Sequence, residues 1–273
     1  MTYPGAAGSA SAVSRPTSGA RAGGVAHTPA MSTDLSGRVA LVTGASGGIG
    51  SDLAVRLAAA GCDVAVHYSG HEDAARETAA KAAAHGVRTV VLQADLGDPQ
   101  ATTGLVDTVE RELGPIDVLV PNAGVNLRAT AIEDVSLEDW TSTIAVNLTA
   151  PFLLAQATVP GMVVRGFGRV LFVSSVAAFT GGMVGPHYAA SKSGLHGLVF
   201  WLAKQTAAHG VTVNAVAPAL VASGMIPDDF DASPIPVGRI GQPEEIGELA
   251  MTMLTNAYVT GKVFIADGGI HPH

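Results

Sequence analysis

From Arg38 onward the chain alternates short runs of branched aliphatic residues with longer Ala-rich amphipathic stretches, and this alternation restricts the fold more than any other feature. A strand that is apolar on both faces must be covered on both sides, the pattern of parallel strands buried between helices. The runs predict strands over Val39–Thr43, Asp63–Tyr68, Arg88–Gln93, Asp117–Pro121, Arg169–Ser174, Val211–Val216 and Lys262–Ala266. The stretches between them predict helices over Gly48–Ala60, His71–His85, Pro99–Leu113, Leu137–Arg165 with a break near Asn147-Leu-Thr, Tyr188–His209 and Pro243–Met253. Strand and helix repeated in this order make a doubly wound α/β fold, a seven-stranded parallel sheet with helices on both faces.

Residues 1–36 do not share the pattern. They are rich in Ala, Gly, Ser, Thr and Pro, carry Arg15 and Arg21, and have no acidic residue before Asp34. Without aromatic and branched residues to offset ordering entropy they are expected to form a disordered N-terminal tail, leaving 37–273 as one domain. An Arg-containing, acid-free, Ser-rich start also resembles an organelle transit peptide, although its Pro and Gly oppose an amphipathic helix, and Met31 is an alternative start. Hydrophobic residues at 48% against charged residues at 14% suggest surface buried between subunits, hence an oligomer. The net charge of -8 offers no basic footprint for nucleic acid or an anionic membrane. The single cysteine, Cys62, excludes an intrachain disulfide and a cysteine-based metal cluster, which implies a reducing, cytoplasmic setting. No apolar run reaching the ~20 residues of a bilayer span is expected. His67, His71, His187 and His209 lack metal-ligand spacing, so no metal site is expected and they are taken as surface or loop residues.

Two local patterns carry chemistry. The first strand runs into Thr43-Gly-Ala-Ser-Gly-Gly-Ile-Gly50 and then a helix. Gly44, Gly48 and Gly50 permit a tight turn, close approach of backbone to a pyrophosphate, and close packing of helix on sheet. The second pattern is Tyr188-Ala-Ala-Ser-Lys192, whose phenol and ammonium lie on the same side of a helix. A close positive charge favours phenolate and suits the tyrosine to acid–base work.

These motifs, with Asp95 after the third strand, Asn122-Ala-Gly124 after the fourth, Asn147, Ser175, Pro218 after the sixth and Asp267-Gly-Gly near the end, resemble the short-chain dehydrogenase/reductase family in its single-domain form from Leu35 to Gly269. The resemblance implies a Rossmann fold and an NAD(P)-dependent oxidoreductase. It makes Asn147, Ser175, Tyr188 and Lys192 a catalytic tetrad, in which Ser175 orients a substrate carbonyl, Tyr188 supplies the proton, Lys192 lowers the phenol pKa and holds the nicotinamide ribose, and Asn147 keeps a helix irregularity and a proton-relaying water. By the same resemblance the cofactor meets Gly44, Ser46, Gly48, Ile49 and Gly50 at the phosphates and ribose, Asp95 and Leu96 at adenine, Asn122, Ala123 and Gly124 beneath the ribose, and Pro218, Leu220 and Ser223 at the nicotinamide. From the residues alone, Asn147 also reads as a helix-breaking cap and Asp95 as an ordinary helix cap. Pro121, Gly47, Ala219 and Ser223 depart from the family pattern.

Among members, the β-ketoacyl carrier-protein reductases are the nearest in character. That makes reduction of a 3-oxoacyl thioester, on a carrier protein or CoA, the expected activity. Docking an acidic carrier needs basic residues at the mouth of the site, and only Arg165, Arg169 and His209 are candidates, so free ketones or alcohols form a nearly equal reading. A catalytically silent dinucleotide-binding regulator is a third reading, against which the intact tetrad argues. Val221–Ile240 is expected to cover the substrate, faced by Met183, Val184 and His187. The second strand ends without a carboxylate, at Tyr68 and Ser69, which are expected to bind the cofactor by bonding a 2′-phosphate, with His67 or His71 adding partial positive charge, so NADP(H) is expected over NAD(H). Apolar residues beyond one stripe on the Ala145–Val164 and Tyr188–His209 helices, such as Val199, Trp201 and Leu202, predict a homotetramer.

Overall fold

The structure, a computed structural model, describes residues 33–222 and 231–271. In chain order its elements are β1 (Val39–Val42), α1 (Gly48–Ala59), β2 (Asp63–Tyr68), α2 (Glu72–Ala83), β3 (Thr89–Gln93), α3 (Pro99–Glu112), β4 (Ile116–Val120), α4 (Leu137–Ile144), a π-helical turn (Ala145–Thr149), α5 (Ala150–Arg165), β5 (Gly168–Val173), α6 (Ala177–Thr180), α7 (Pro186–Thr206), β6 (Val211–Pro218), α8 (Pro243–Thr255) and β7 (Val263–Ala266). The strands form one seven-stranded parallel sheet in the order β3-β2-β1-β4-β5-β6-β7. The expected architecture is therefore present. Only the one-turn α6 and a 3₁₀ turn at Ile132–Asp134 were not expected, both too short to show a period.

Apolar burial on both faces of the strands produces two cores. On one face Leu53, Leu57, Ala75 and Met253 of α1, α2 and α8 pack over Val64, Val66 and Val120. On the other Val109, Leu154, Leu195 and Val199 of α3, α5 and α7 pack over Leu41, Leu119 and Phe172. Strand order reverses between β1 and β4, and the crevice at the carboxyl ends of such a pair is where open α/β sheets bind ligands.

Several expectations change on this frame. Thr33–Ser36, assigned to the tail, are docked: the Thr33 N–H donates to the Thr255 carbonyl at 2.6 Å and Leu35 is buried. Residues 1–32 lie outside the described part. Cys62 is buried, its thiol pushed up to about 12 by desolvation and donating to the Leu35 carbonyl. The run Leu137–Arg165 has the length and hydropathy of a membrane-crossing helix, contrary to expectation. Leu154, Ala155, Val159 and Met162 of that run are buried in the core of this fold. Val199 is likewise core and Leu202 packs against it; Phe152, Val164, Phe200 and Trp201 are the large exposed apolar residues of α5 and α7. Arg165 and Arg169 sit at the amino-terminal sheet edge, away from the crevice. Arg165 bonds Asp117 and the Ile116 carbonyl, and buried Arg169 donates to the Leu254, Gly168 and Gly210 carbonyls.

Candidate active site

The glycine-rich loop sits at the β1–β4 crossover. Gly44 has φ 63°, and a Cβ there would lie 2.8 Å from Ala123 Cα, so only glycine lets the two strand exits meet. Thr43 Oγ1 accepts from the Asn122 and Ala123 N–H groups at 3.0 and 3.1 Å. The Asn122 side chain returns the bond by donating to the Thr43 and Gly44 carbonyls at 2.9 and 3.0 Å. Asn122 therefore braces the loop as well as lining the cleft. Helix α1, with Gly47 at its N-cap, has no side-chain cap and no acid in its first turn, leaving its terminal N–H groups available to an anion.

These residues line a cleft of about 1220 Å³. Of the sequence-predicted set, Gly44, Ser46, Gly48, Ile49, Ser69, Asp95, Leu96, Asn122, Ala123, Gly124, Ser175, Tyr188, Lys192, Pro218 and Leu220 line it. Gly50 is buried beneath, where a Cβ would collide with the Gly44 carbonyl. Ser223 lies outside the described residues. Tyr68 does not reach the cleft: the two-residue strand period turns it with Val64 and Val66 into the core under α2, where its hydroxyl bonds Glu72. Asp95 is not a helix cap. It accepts from the Gly97 N–H at 2.8 Å, and Asp98 caps α3.

Two histidines taken as surface residues are buried. His67, 1% exposed, accepts from the Gly44 N–H and bonds the Ala94 carbonyl; desolvation holds its pKa down, so it supplies no positive charge to a phosphate. His187, also 1% exposed, donates from Nε2 to the Leu127 carbonyl at 2.7 Å and does not line the cleft, whereas Met183 and Val184 do. That bond, with Ala129 N–H to the Val184 carbonyl at 2.8 Å, pins the segment after β4 to the segment before α7. The pinned segment brings Arg128, which sequence reasoning passed over, to the cleft wall; its place depends on pairings between residues distant in sequence.

The four tetrad candidates converge at the carboxyl ends of β4 and β5. Tyr188 opens into the cleft from the first turn of α7 and is hydrogen-bonded to Ser175, whose Oγ also accepts from the Ala177 N–H at 3.2 Å. Burial raises the phenol pKa, and the Ser175 bond works against that rise. Lys192 is buried one turn on, donates to the Val173 carbonyl at 2.8 Å, and places Nζ 5.8 Å from the Tyr188 ring centre. Desolvation lowers its pKa to about 8. Asn147 is fully buried in the π turn, not at a cap. Its Oδ1 accepts from the Val125 N–H at 2.8 Å, and its Nδ2 donates to the Val125 carbonyl at 3.0 Å and to Ser191 Oγ at 3.2 Å. Gly124 fits between them: a Cβ there would lie 3.2 Å from Asn147 Oδ1 and 3.5 Å from Lys192 Nζ.

An uncapped helix terminus beside a glycine cradle suits a pyrophosphate, and the cleft continues from it to Tyr188 and Lys192, so the residues present fit a dinucleotide. Comparison with known proteins agrees. The family model for short chain dehydrogenases matches residues 38–233. A 3-oxoacyl-[acyl-carrier-protein] reductase of Synechocystis sp. is 39% identical over 87% of this chain and 98% of its own. An acetoacetyl-CoA reductase of Rhizobium meliloti is 36% identical over 85% and 98%. Among solved structures, a blue fluorescent protein from a metagenomic library, in complex with NADPH, superposes with a TM-score of 0.83 at 34% identity over 88% of this chain and all of its own. The chain thus belongs to the short chain dehydrogenase family and is an NAD(P)-dependent oxidoreductase.

Proposed function

We propose that the protein reduces the ketone of a 3-oxoacyl thioester, with NADP(H) preferred over NAD(H) and with Asn147, Ser175, Tyr188 and Lys192 as its catalytic tetrad. The observation that carries the reading is the Tyr188 hydroxyl, bonded to Ser175 and facing a cleft walled by Met183, Val184 and Ile235. A ketone oxygen meeting both hydroxyls accepts a hydrogen bond from Ser175 and the proton from Tyr188. Nicotinamide supplies hydride when bound. Burial keeps the phenol protonated, the state that reduction needs. The buried ammonium of Lys192 favours proton release, and the apolar wall suits an acyl chain.

Relatives named for carrier-protein and CoA thioesters support the thioester reading. Arg165 and Arg169 are committed to structural bonds at the far sheet edge, so neither serves an acidic carrier at the cleft, whereas Arg128 on the cleft wall suits the anionic part of either thioester. The test is a cofactor-absorbance screen of acetoacetyl-CoA, carrier-bound acetoacetate, simple ketones and diketones. Free ketones turned over with higher kcat/KM than acetoacetyl-CoA would overturn the thioester assignment.

The cofactor preference rests on Ser69, Gly70 and His71, which line the cleft at the end of β2 without a carboxylate. Because Tyr68 is core, Ser69 is the position to change. Ser69→Asp is expected to shift kcat/KM from NADPH toward NADH by about tenfold or more, equivalent to ~1.4 kcal/mol of repulsion and new ribose bonds. A wild type that prefers NADH would refute the assignment. The exposed Phe152, Phe200 and Trp201 support a homotetramer, which light scattering checks, and the single buried cysteine suits a cytoplasmic protein.

A further inference from the structure

His67 is a buried titratable residue on which the tetrad chemistry makes no demand, yet it is bonded more densely to the glycine loop than any tetrad member. Its backbone carbonyl accepts from the Ala45 N–H at 2.8 Å, and its ring Nδ1 lies 3.1 Å from the Gly44 nitrogen. The other ring nitrogen, Nε2, lies 3.1 Å from the Ala94 carbonyl, one residue before the Asp95–Leu96 wall. A donor on one side and an acceptor on the other admit a single arrangement, with Nδ1 bare and Nε2 carrying the hydrogen.

We propose that His67 is a positioning residue for the dinucleotide: its neutral ring ties the phosphate-binding turn to the exit of β3, and its protonation releases that tie and weakens cofactor binding. The turn has few anchors of its own. Gly44 and Gly48 have positive φ, the α1 cap is a glycine with no side chain to bond the turn, and among the described residues the other side chain holding Gly44 is Asn122, which bonds its carbonyl. A protonated ring would set a second N–H against the Gly44 N–H and bury a charge. The elements around it offer no compensation. β1 and β3 carry no titratable side chain over Val39–Val42 and Thr89–Gln93, Asp95 is turned onto the Gly97 N–H, Tyr68 is engaged with Glu72, and His71 opens α2. Desolvation correspondingly lowers the His67 pKa. The neutral-ring bonds are therefore intact above the ordinary histidine range and are lost as pH falls below it. The proposal rests on cofactor binding by the family and is independent of the substrate reading.

The experiment titrates the apo enzyme with NADH and with NADPH by cofactor fluorescence, from about pH 8 down to about pH 5 across the histidine range. NADH has no 2′-phosphate, so a slope shared by both cofactors is not that of the phosphate. For the wild type, Kd for both is expected to rise about tenfold or more toward the acid end. His67→Asn keeps an acceptor near Nδ1 and cannot protonate; its Kd at about pH 8 is expected within a few-fold of wild type for both cofactors, and with NADH it is expected to be flat with pH. His67→Leu is expected to bind weakly at every pH, with cofactor KM raised much more than kcat falls, and with an apo melting temperature close to that of the Asn variant. Wild-type affinity in the Leu variant, or a wild-type acid slope in the Asn variant, would overturn the proposal. Should the Leu variant fail to fold, the Asn and wild-type slopes decide the question.

Discussion

Replacing Tyr188 by Phe is expected to cut turnover by about two to four orders of magnitude, the scale of a lost positioned proton donor, while Kd for NADPH stays within a few-fold of wild type. The structure makes this a clean test. The substitution removes one oxygen from a ring that otherwise stays in place, and the partner left behind is Ser175, whose Oγ keeps its bond from the Ala177 N–H. The fold should lose less than about 1 kcal/mol, because no buried group is left wholly unpaired. Stopped-flow measurement of NADPH oxidation, with fluorescence titration of cofactor alone, separates chemistry from binding. Near-wild-type turnover would remove Tyr188 from the proposed mechanism.

Replacing Lys192 should harm two functions at once. The side chain is buried and its pKa falls from 10.5 to about 8. At 1.36 kcal/mol per unit, the folded protein holds this charge at a cost of roughly 3 kcal/mol. Among the described residues the one hydrogen bond of its ammonium is to the Val173 carbonyl, a bond worth about 1 kcal/mol net, which gives little reason to keep an ammonium there for structure. Lys192→Met, which fills the volume without the charge, should therefore melt within a few degrees of wild type. Its turnover should fall by about a hundredfold or more, because the phenol loses the neighbour that favours proton release. Cofactor Kd should rise about tenfold. Lys192→Ala should show the same losses with a lower melting temperature from the cavity. Unchanged cofactor affinity in the Met variant would count against a ribose contact, and unchanged turnover against any role beside Tyr188.

The sequence by itself determined the layered fold, because that information is local. Every strand from Val39–Val42 to Val263–Ala266 reads as a short apolar run between helical periods, and parallel strands covered on both faces have few other arrangements. The glycine turn and the Tyr188–Lys192 pair were legible for the same reason: each is contiguous, and its geometry follows from one turn of backbone. The tertiary structure decided whatever depends on which face a residue takes or on a partner far along the chain. In β2 both faces are apolar, so the run cannot say that Tyr68 joins the core under α2 while Ser69 and the ring of His67 meet the cofactor side. Polar residues such as His67 and His187 read as exposed until a distant backbone group, Gly44 and Ala94 in one case and Leu127 in the other, satisfies them in the interior. Arg169 looked available for docking until the sheet placed it among three carbonyls at the wrong end. The π turn at Asn147 likewise exists where the segment after β4 presents Val125 to both ends of one amide. A hydrophobic period specifies which layers form, whereas long-range hydrogen bonds, satisfied only once the layers have closed, settle which polar side chains enter the site.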